Sequence, residues 1–156
     1  MKALLVIDVQ PGYVERYDEG LISRINQRIQ DAAAHKELII YVKNTKKLKS
    51  GMQTNGLAED LDVRSPHILC KEAAIAFSNR ELIGLLSQNQ VREVALVGID
   101  GNSCIFHSAM DAKNHGYGVT LPLACIGVQN TQRFEKSKEA LIQKGIVIVE
   151  PDRPLL

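Results

Sequence analysis

The sequence predicts a three-layer α/β fold, in which a doubly wound, mostly parallel sheet carries helices on both faces. Short apolar runs of strand length alternate along the chain with amphipathic helical segments. Most of these runs are apolar throughout, as expected for strands that are covered on both faces. The strand order expected for this class is 3-2-1-4-5-6, which makes the first and fourth strands neighbours at the centre of the sheet.

Six segments have the composition of strands and four have the pattern of helices. The predicted strands are 3–9, 38–42, 67–70, 94–97, 117–121 and 146–149. Residues 21–34 and 131–144 have the spacing of helices, and Gly145 is a plausible residue to end the second of them. A further helix begins at Ser78 or Asn79 and runs to Leu86, and another follows Asn102 or Ser103. No internal repeat divides the chain, so we expect a single domain over residues 1–156.

Composition excludes several classes of function. The chain has 156 residues, of which 45% are hydrophobic, and a formal net charge of +1. A charge this close to zero gives no electrostatic case for binding nucleic acid or an anionic membrane. The apolar amino terminus is interrupted by Asp8 and resembles a core strand more than a signal sequence, and no apolar run could span a bilayer. We therefore expect a soluble, cytoplasmic protein.

Cys104 lies in the context of a catalytic nucleophile. A strand over 94–97 is followed by Gly98, a turn over 99–101 and a helix that Asn102 or Ser103 can cap, so Cys104 falls in the first turn of that helix. The positive end of the helix dipole stabilises a thiolate, which predicts a lowered thiol pKa. The alternative is a buried cysteine that packs as a small apolar side chain.

Two further polar residues also follow apolar strands. Asp8 ends the first strand, and Lys71 stands at the end of the third. The predicted order brings Asp8 close to Cys104, while Lys71 comes from two strands away and needs its long stem to reach them. The three residues would form a site at the carboxyl edge of the sheet. A purely structural ion pair between Asp8 and Lys71 remains the alternative.

The motifs around these residues resemble those of the isochorismatase-like cysteine hydrolase superfamily, which includes nicotinamidases and N-carbamoylsarcosine amidohydrolases. The resemblance covers nearly the whole chain in the expected order. The matching motifs are Ile7-Asp8-Val9-Gln10, the segment from Lys71 to Phe77, Val97-Gly98 leading to Cys104, and Ser108-Ala109-Met110-Asp111-Ala112.

The resemblance implies an enzyme that cleaves a C–N bond in a small amide or related carbonyl compound. Cys104 would attack the carbonyl carbon to form an acyl-enzyme, Asp8 would act as general base, and Lys71 would stabilise the charges. Backbone N–H groups at the helix start, including that of Cys104, could stabilise the oxyanion. The resemblance also implies a cis peptide bond between Ile99 and Asp100, a small-molecule substrate and a homo-oligomer.

The sequence departs from the nicotinamidases of this superfamily, which hold a metal with an Asp-x-His pair and a further histidine. The corresponding stretch, 44–56, contains no histidine, and His35, His67, His107 and His115 do not form that pattern. We therefore expect neither a metal nor another cofactor. Gly101 stands where the family often has threonine, and residues 121–124 lack an aspartate that is common there.

Residues that flank the three proposed catalytic side chains are candidate walls of a substrate pocket. Phe77 is equally an ordinary core residue, and Cys70 and Cys125 fit core packing. His107, three residues beyond Cys104, offers an alternative Cys–His dyad. The candidate substrate-binding residues are Gln10, Tyr13, Phe77, Asp100, Asn102, Ser103 and Ile105.

Two other functions remain open from the sequence. The missing histidines and altered turn also suit an inactive family member that works as an oligomeric binding or scaffold protein, and Cys104 could instead be a thiol redox sensor. The lysine-rich connection 44–55 is either a solvated loop or part of a flap or subunit contact, and the substrate depends on connections such as 44–66.

Overall fold

A computed structural model describes residues 1–45, 56–71 and 73–151. Within these residues, seven parallel strands form one sheet in the order β3-β2-β1-β4-β5-β7, with the short β6 paired to β4. The strands are β1 (Lys2–Ile7), β2 (Leu38–Asn44), β3 (Ile68–Lys71), β4 (Glu93–Ile99), β5 (Gly118–Pro122), β6 (Ile126–Gly127) and β7 (Val147–Val149). The α-helices are α1 (Leu21–Ala34), α2 (Arg80–Gln88), α3 (Cys104–Asn114) and α4 (Thr131–Gln143).

The predicted fold class and strand order are confirmed, with one addition. The sequence does not predict β6, which has only two residues and pairs with Gly98 and Ile99 at the end of β4. The predicted sixth strand is therefore β7, and it keeps the expected edge position beside β5. The first strand also ends two residues earlier than predicted, at Ile7.

Helices cover both faces of the sheet. Alternate residues along each strand point to opposite faces, so each strand contributes side chains to two apolar clusters. On one face, α1 packs its buried residues Leu21, Ile25 and Ile29 against strand residues such as Leu4 and Val97. On the other face, α2, α3 and α4 cover a second cluster, whose members include Leu5, Leu86, Leu96, Ala109 and Leu141. Two separate apolar clusters, one on each side of a single sheet, give the three layers.

The helix ends agree only in part with the sequence analysis. Asn79 caps α2, because its side chain accepts a hydrogen bond from the N–H of Glu81 at 2.8 Å. Gly145 follows α4 with φ of 93°, as a residue that ends a helix should. Neither predicted cap of α3 is present, because Ser103 makes no capping bond and Asn102 bonds instead to Ser137 and the carbonyl of Asn130. No described helix combines the length and apolar character needed to cross a membrane.

Candidate active site

Four parallel strands deliver their carboxyl ends to one edge of the sheet. Ile7 at the end of β1 is level with Val42 in β2 and Gly98 in β4, and Asn44 in β2 is level with Lys71 in β3. Residues that follow these positions therefore meet above the same edge, the usual place for ligands in open α/β sheets.

Lys71 joins the proposed site residues. Its Nζ donates to Oδ2 of Asp8 at 3.1 Å, to Sγ of Cys104 at 3.4 Å and to the carbonyl of Ala73 at 3.1 Å. These contacts use all three protons of the ammonium group. Lys71 is 2% exposed and Asp8 is 5% exposed, so the ion pair is buried. The structure thus brings together the three residues that the sequence singled out.

One oxygen of the Asp8 carboxylate keeps its accepting capacity. Oδ1 is buried and has no hydrogen-bond donor among the described residues, while Oδ2 receives the Lys71 ammonium. A buried acceptor without a partner costs free energy, and a role of this oxygen in the chemistry of the site would explain why it is kept. Asp8 also adopts φ of 57°, a left-handed conformation that aspartate tolerates better than most residues.

The predicted lowering of the Cys104 pKa is wrong. Burial raises the pKa of the thiol, and the negative charge of Asp8 raises it further, while the Lys71 ammonium opposes these effects. Desolvation penalises the charged thiolate, and together with the Asp8 charge it outweighs the Lys71 ammonium. Cys104 therefore rests as a neutral thiol at neutral pH, and a base must remove its proton before it can attack.

The main chain around Cys104 is held by close backbone contacts. Gly98 has φ of 121°, and a side chain there would collide with the main chain of Ile7. The peptide bond between Ile99 and Asp100 is cis, as the resemblance implies. The carbonyl of Asp100 accepts the N–H groups of Ser103 and Ile105. No acceptor among the described residues takes the N–H of Cys104, which stays available to a ligand.

Ser108 fixes the segment that follows Lys71 to the helix that carries Cys104. Its buried hydroxyl accepts a hydrogen bond from the N–H of Ala76 at 2.8 Å and donates one to the carbonyl of Ala74 at 3.5 Å. The same segment supplies the Ala73 carbonyl that receives Lys71. Ser108 thereby positions Lys71 relative to Cys104 without touching either.

A cavity of about 160 Å³ opens beside the Cys104 sulfur. We call its buried end the base, where Asp8 and Cys104 line the cavity and Lys71 contacts both, and its exposed end with Tyr13 and Arg16 the mouth. The residues that line the cavity are Asp8, Tyr13, Arg16, Tyr17, Asn44, Ile99, Asp100, Ser103 and Cys104.

Three of the predicted wall residues, Tyr13, Asp100 and Ser103, line this cavity. The other four are placed outside its lining. Gln10 is buried and exchanges two hydrogen bonds with the main chain of Asn44, at 2.7 and 2.9 Å, so it fixes the end of β2.

Phe77, Ile105 and Asn102 have structural surroundings. Phe77 stacks on His115 with ring centroids 5.7 Å apart, and Ile105 is fully buried in the core under α3. Asn102 connects the turn before α3 to the start of α4, through its bonds to Ser137 and the Asn130 carbonyl. Their predicted role as walls of this cavity is therefore corrected to packing and loop fixation.

Two other expectations about neighbouring residues need correction. His107 is exposed and makes no hydrogen bond to Cys104, so the alternative Cys–His dyad is wrong. Cys70 is exposed rather than packed in the core, whereas Cys125 is buried as expected, with its thiol 3.4 Å from the carbonyl of Arg24.

Arg16 and Tyr17 line the cavity although the sequence analysis assigned no role to either, and Asn44, which begins the connection 44–55, lines it as well. Tyr17 donates to Oδ2 of Asp100 at 3.0 Å, and burial together with the Asp100 charge raises the pKa of its hydroxyl, which stays protonated. The one indication in the sequence was their place in the chain, since two tyrosines and an arginine directly follow the turn after β1. Their irregular spacing carried no strand or helix pattern that would have aimed them at the site.

The donor set does not fit a nicotinamidase-type metal site. Among the residues that the structure describes, no group of three or more His, Cys, Asp and Glu side chains is arranged to hold a metal ion. Outside the described ranges, residues 46–55 contain none of these four residue types, and only Glu72 and Asp152 belong to them. The predicted absence of a metal stays a prediction, and no step of the chemistry below uses one.

The fold defines a class of three-layer α/β proteins with known members. The solved structure of N-carbamoylsarcosine amidase from Thermoplasma acidophilum superimposes with a TM-score of 0.83 at 16% identity, over 98% of this chain and 98% of that chain. At this identity the likeness concerns the fold alone.

The chain belongs to the isochorismatase family, since the model of the isochorismatase domain matches residues 2–151. The family contains hydrolases, among them amidases and nicotinamidases.

Two relatives with detectable sequence similarity come from bacteria. An uncharacterized isochorismatase family protein of Bacillus subtilis is 28% identical over 153 residues, covering 86% of this chain and 84% of the relative. Maleamate amidohydrolase of Pseudomonas putida is 26% identical over 178 residues, covering 96% of this chain and 84% of the relative.

Proposed function

We propose that this protein is a cysteine hydrolase that cleaves the C–N bond of a small amide through an acyl-enzyme on Cys104, without a metal. The observation that carries the proposal is the buried ammonium of Lys71, which lies 3.1 Å from the Asp8 carboxylate and 3.4 Å from the Cys104 sulfur. A nucleophile, a base and a charge-stabilising group are thereby in contact beside a cavity.

The first half of the reaction forms a thioester. Asp8 takes the proton of the Cys104 thiol as the sulfur attacks the amide carbon, and the carbonyl oxygen becomes an oxyanion. When the oxyanion collapses, the C–N bond breaks, and the nitrogen leaves as ammonia or an amine with the proton that Asp8 returns. Because the thiol pKa is raised, this base is a requirement of the mechanism.

The second half consumes water. Asp8 takes a proton from a water molecule whose oxygen attacks the thioester carbon. The C–S bond then breaks, the carboxylic acid leaves, and the sulfur recovers the proton from Asp8. The unpartnered Oδ1 of Asp8 supports this role, because an accepting oxygen is available in both halves.

Lys71 and the start of α3 would stabilise the charges that appear. Negative charge passes from Asp8 to sulfur and back, and the ammonium contacts both positions. The N–H of Cys104 lacks an acceptor among the described residues and is suited to the oxyanion.

The cavity accommodates a small reacting group, and because it is open on one side a substrate can extend beyond it. The cavity volume of about 160 Å³ is close to that of an engineered protein cavity of roughly 150 Å³ that binds benzene. A substrate of similar bulk, with few atoms beyond the amide, fits this space. The similarity to an amidohydrolase of Pseudomonas putida supports an amide as the reacting group.

A panel of small amides, assayed for released ammonia or amine, tests the proposal. Wild-type protein should turn over at least one amide, and Cys104→Ala should abolish that turnover while it retains the fold. Cys70→Ala is the matched control, because Cys70 is exposed and its loss should leave the rate unchanged. Equal rates for wild type and the Cys104→Ala protein would refute the proposal.

The raised pKa of Cys104 favours the hydrolase proposal over the redox-sensor alternative. Sensor cysteines are accessible and have a low pKa, which keeps the reactive thiolate populated. Cys104 is partly buried and has a raised pKa. The scaffold alternative gives no reason for an unpartnered carboxylate oxygen beside a thiol, and amide hydrolysis that depends on Cys104 would contradict it.

Assembly and location stay predictions of the sequence. We expect a homo-oligomer in the cytoplasm that acts on a small molecule and binds neither nucleic acid nor membrane. Light scattering of the purified protein would measure the number of subunits.

A further inference from the structure

A cation stands in the wall of the cavity and has no part in the chemistry above. Arg16 ends the short 3-10 turn Val14–Arg16 that follows β1, and it lines the cavity together with Cys104. Its side chain is exposed and forms no ion pair with any residue in the described ranges. The guanidinium group is therefore available to a ligand.

The carboxylates near Arg16 in sequence, Glu15, Asp18 and Glu19, form no ion pair with it. Glu15 accepts a hydrogen bond from the N–H of Gly12 at 2.7 Å, and Asp18 is paired with Arg24 at 2.6 Å. Glu19 is exposed and also lies outside ion-pair distance of Arg16, so this segment supplies no counter-ion to it.

Asp100 is the other carboxylate of the cavity outside the buried ion pair, and its oxygens are occupied by donors. Oδ1 accepts the N–H of Asn102 at 2.7 Å, and Oδ2 accepts the hydroxyl of Tyr17 and the N–H of Gln129, each at 3.0 Å. The hydrogen-bond acceptors of Asp100 are thus occupied within the protein, and no ion pair joins Asp100 to Arg16 in the described ranges.

The charges at the base of the cavity also balance, because Asp8 and Lys71 neutralise each other. Arg16 is left as a cation that forms no ion pair with the described side chains around it. A guanidinium group presents a rigid fork of donors that matches a carboxylate.

We propose that the substrate is a small amide that also carries a carboxylate, and that Arg16 binds this carboxylate while Cys104 attacks the amide. This inference rests on the proposed hydrolase function and narrows its substrate class. Because Arg16 and Cys104 line the same small cavity, a substrate that reaches both carries the two groups a few bonds apart. Arg16 is then a residue that determines specificity, on the wall of the cavity above the reacting groups.

The first experiment needs no turnover, so it is independent of the hydrolase proposal. Iodoacetate and iodoacetamide alkylate the same thiol and differ in charge, and peptide mass spectrometry gives the rate at each cysteine. The measured quantity is the ratio of the iodoacetate to the iodoacetamide rate at Cys104, divided by the same ratio at the exposed Cys70. Lys71 contributes equally in all variants compared.

The Arg16→Gln substitution should lower this normalised ratio by about 3- to 5-fold, as expected for an interaction with a partly solvated cation. Arg16→Lys should retain most of the wild-type ratio. Arg80→Gln is the matched control, because Arg80 is an exposed arginine at the start of α2 and away from the cavity. A ratio that is the same in wild type and Arg16→Gln would overturn the proposal and leave Arg16 as a solvent-facing residue.

The second experiment uses substrates of matched length, succinamate and succinamide. Wild type should prefer succinamate in kcat/KM, and Arg16→Gln should reduce the preference by about 5- to 10-fold, mainly through KM. If neutral amides are hydrolysed as well as anionic ones, and Arg16→Gln does not change the preference, the substrate-class inference fails while the hydrolase stands. If no amide is hydrolysed, the hydrolase proposal fails, and the alkylation ratio still decides whether Arg16 attracts anions.

Discussion

The base and the mouth of the cavity are built in different ways. At the base, Asp8 follows β1 and Lys71 is the last residue of β3, and the two are almost fully buried and contact one another directly. At the mouth, Tyr13 and Arg16 belong to an irregular connection and are partly or largely exposed. We infer from this comparison that the strand ends carry the reacting groups, while the connection after β1 determines which substrate binds.

The largest expected difference between the two regions is in how much the loss of a cation lowers the free energy of unfolding. Lys71→Met leaves the Asp8 carboxylate buried without its cation and should lower the free energy of unfolding by about 3–5 kcal/mol. Arg16→Met removes an exposed cation and should change it by no more than about 0.5 kcal/mol. Urea unfolding monitored by circular dichroism measures both.

The double variant Asp8→Asn/Lys71→Met is the control for this comparison. Removing both charges should recover part of the stability that Lys71→Met loses, because no unpaired charge stays buried. A Lys71→Met protein as stable as wild type would show that the buried Asp8 carboxylate does not need the Lys71 ammonium for stability.

The second prediction concerns the ionisation of Cys104. Asp8 raises the pKa of this thiol and Lys71 lowers it, so Asp8→Asn should shift the pH midpoint of Cys104 alkylation by iodoacetamide downward. Lys71→Met should shift the midpoint upward, since the opposing ammonium is lost. Rates at Cys104 measured across pH by peptide mass spectrometry give the midpoints. Equal midpoints in all three proteins would mean that the charges at the base do not act on the sulfur.

The smallest expected effect is at the mouth. Tyr17→Phe removes the 3.0 Å hydrogen bond to Asp100 and should reduce the free energy of unfolding by about 1 kcal/mol. Tyr117→Phe is the matched control, because the Tyr117 hydroxyl bonds to no residue in the described part of the chain and its ring packs on Phe77. Losses of equal size in the two variants would indicate that the Asp100 bond contributes nothing measurable.

The same contrast explains what the sequence could predict. Apolar runs mark strands, and the parallel order brings their ends together, so the meeting of Asp8, Lys71 and Cys104 followed from pattern and topology. β6 was missed because two residues, Ile126 and Gly127, are too short to carry a pattern. The role of Arg16 was not predicted, because in an irregular segment the spacing of residues does not show which way a side chain points.

The Cys104 pKa was predicted in the wrong direction for an energetic reason. The sequence shows that a helix begins at this cysteine, but it does not show how deeply the sulfur is buried or how close the Asp8 charge lies. These two effects oppose the Lys71 ammonium, and they prevail. Burial and charge proximity depend on packing between distant segments, which spacing along the chain does not report.

The central claim is that Cys104 forms a covalent bond to the acyl part of an amide substrate. Rapid acid quench of wild-type protein during turnover, followed by peptide mass spectrometry, tests this most directly. We predict an added acyl mass on the peptide that contains Cys104, and none on the peptides that contain Cys70 or Cys125. Turnover that proceeds with no acyl mass on Cys104, and at the same rate in the Cys104→Ala protein, would contradict the account.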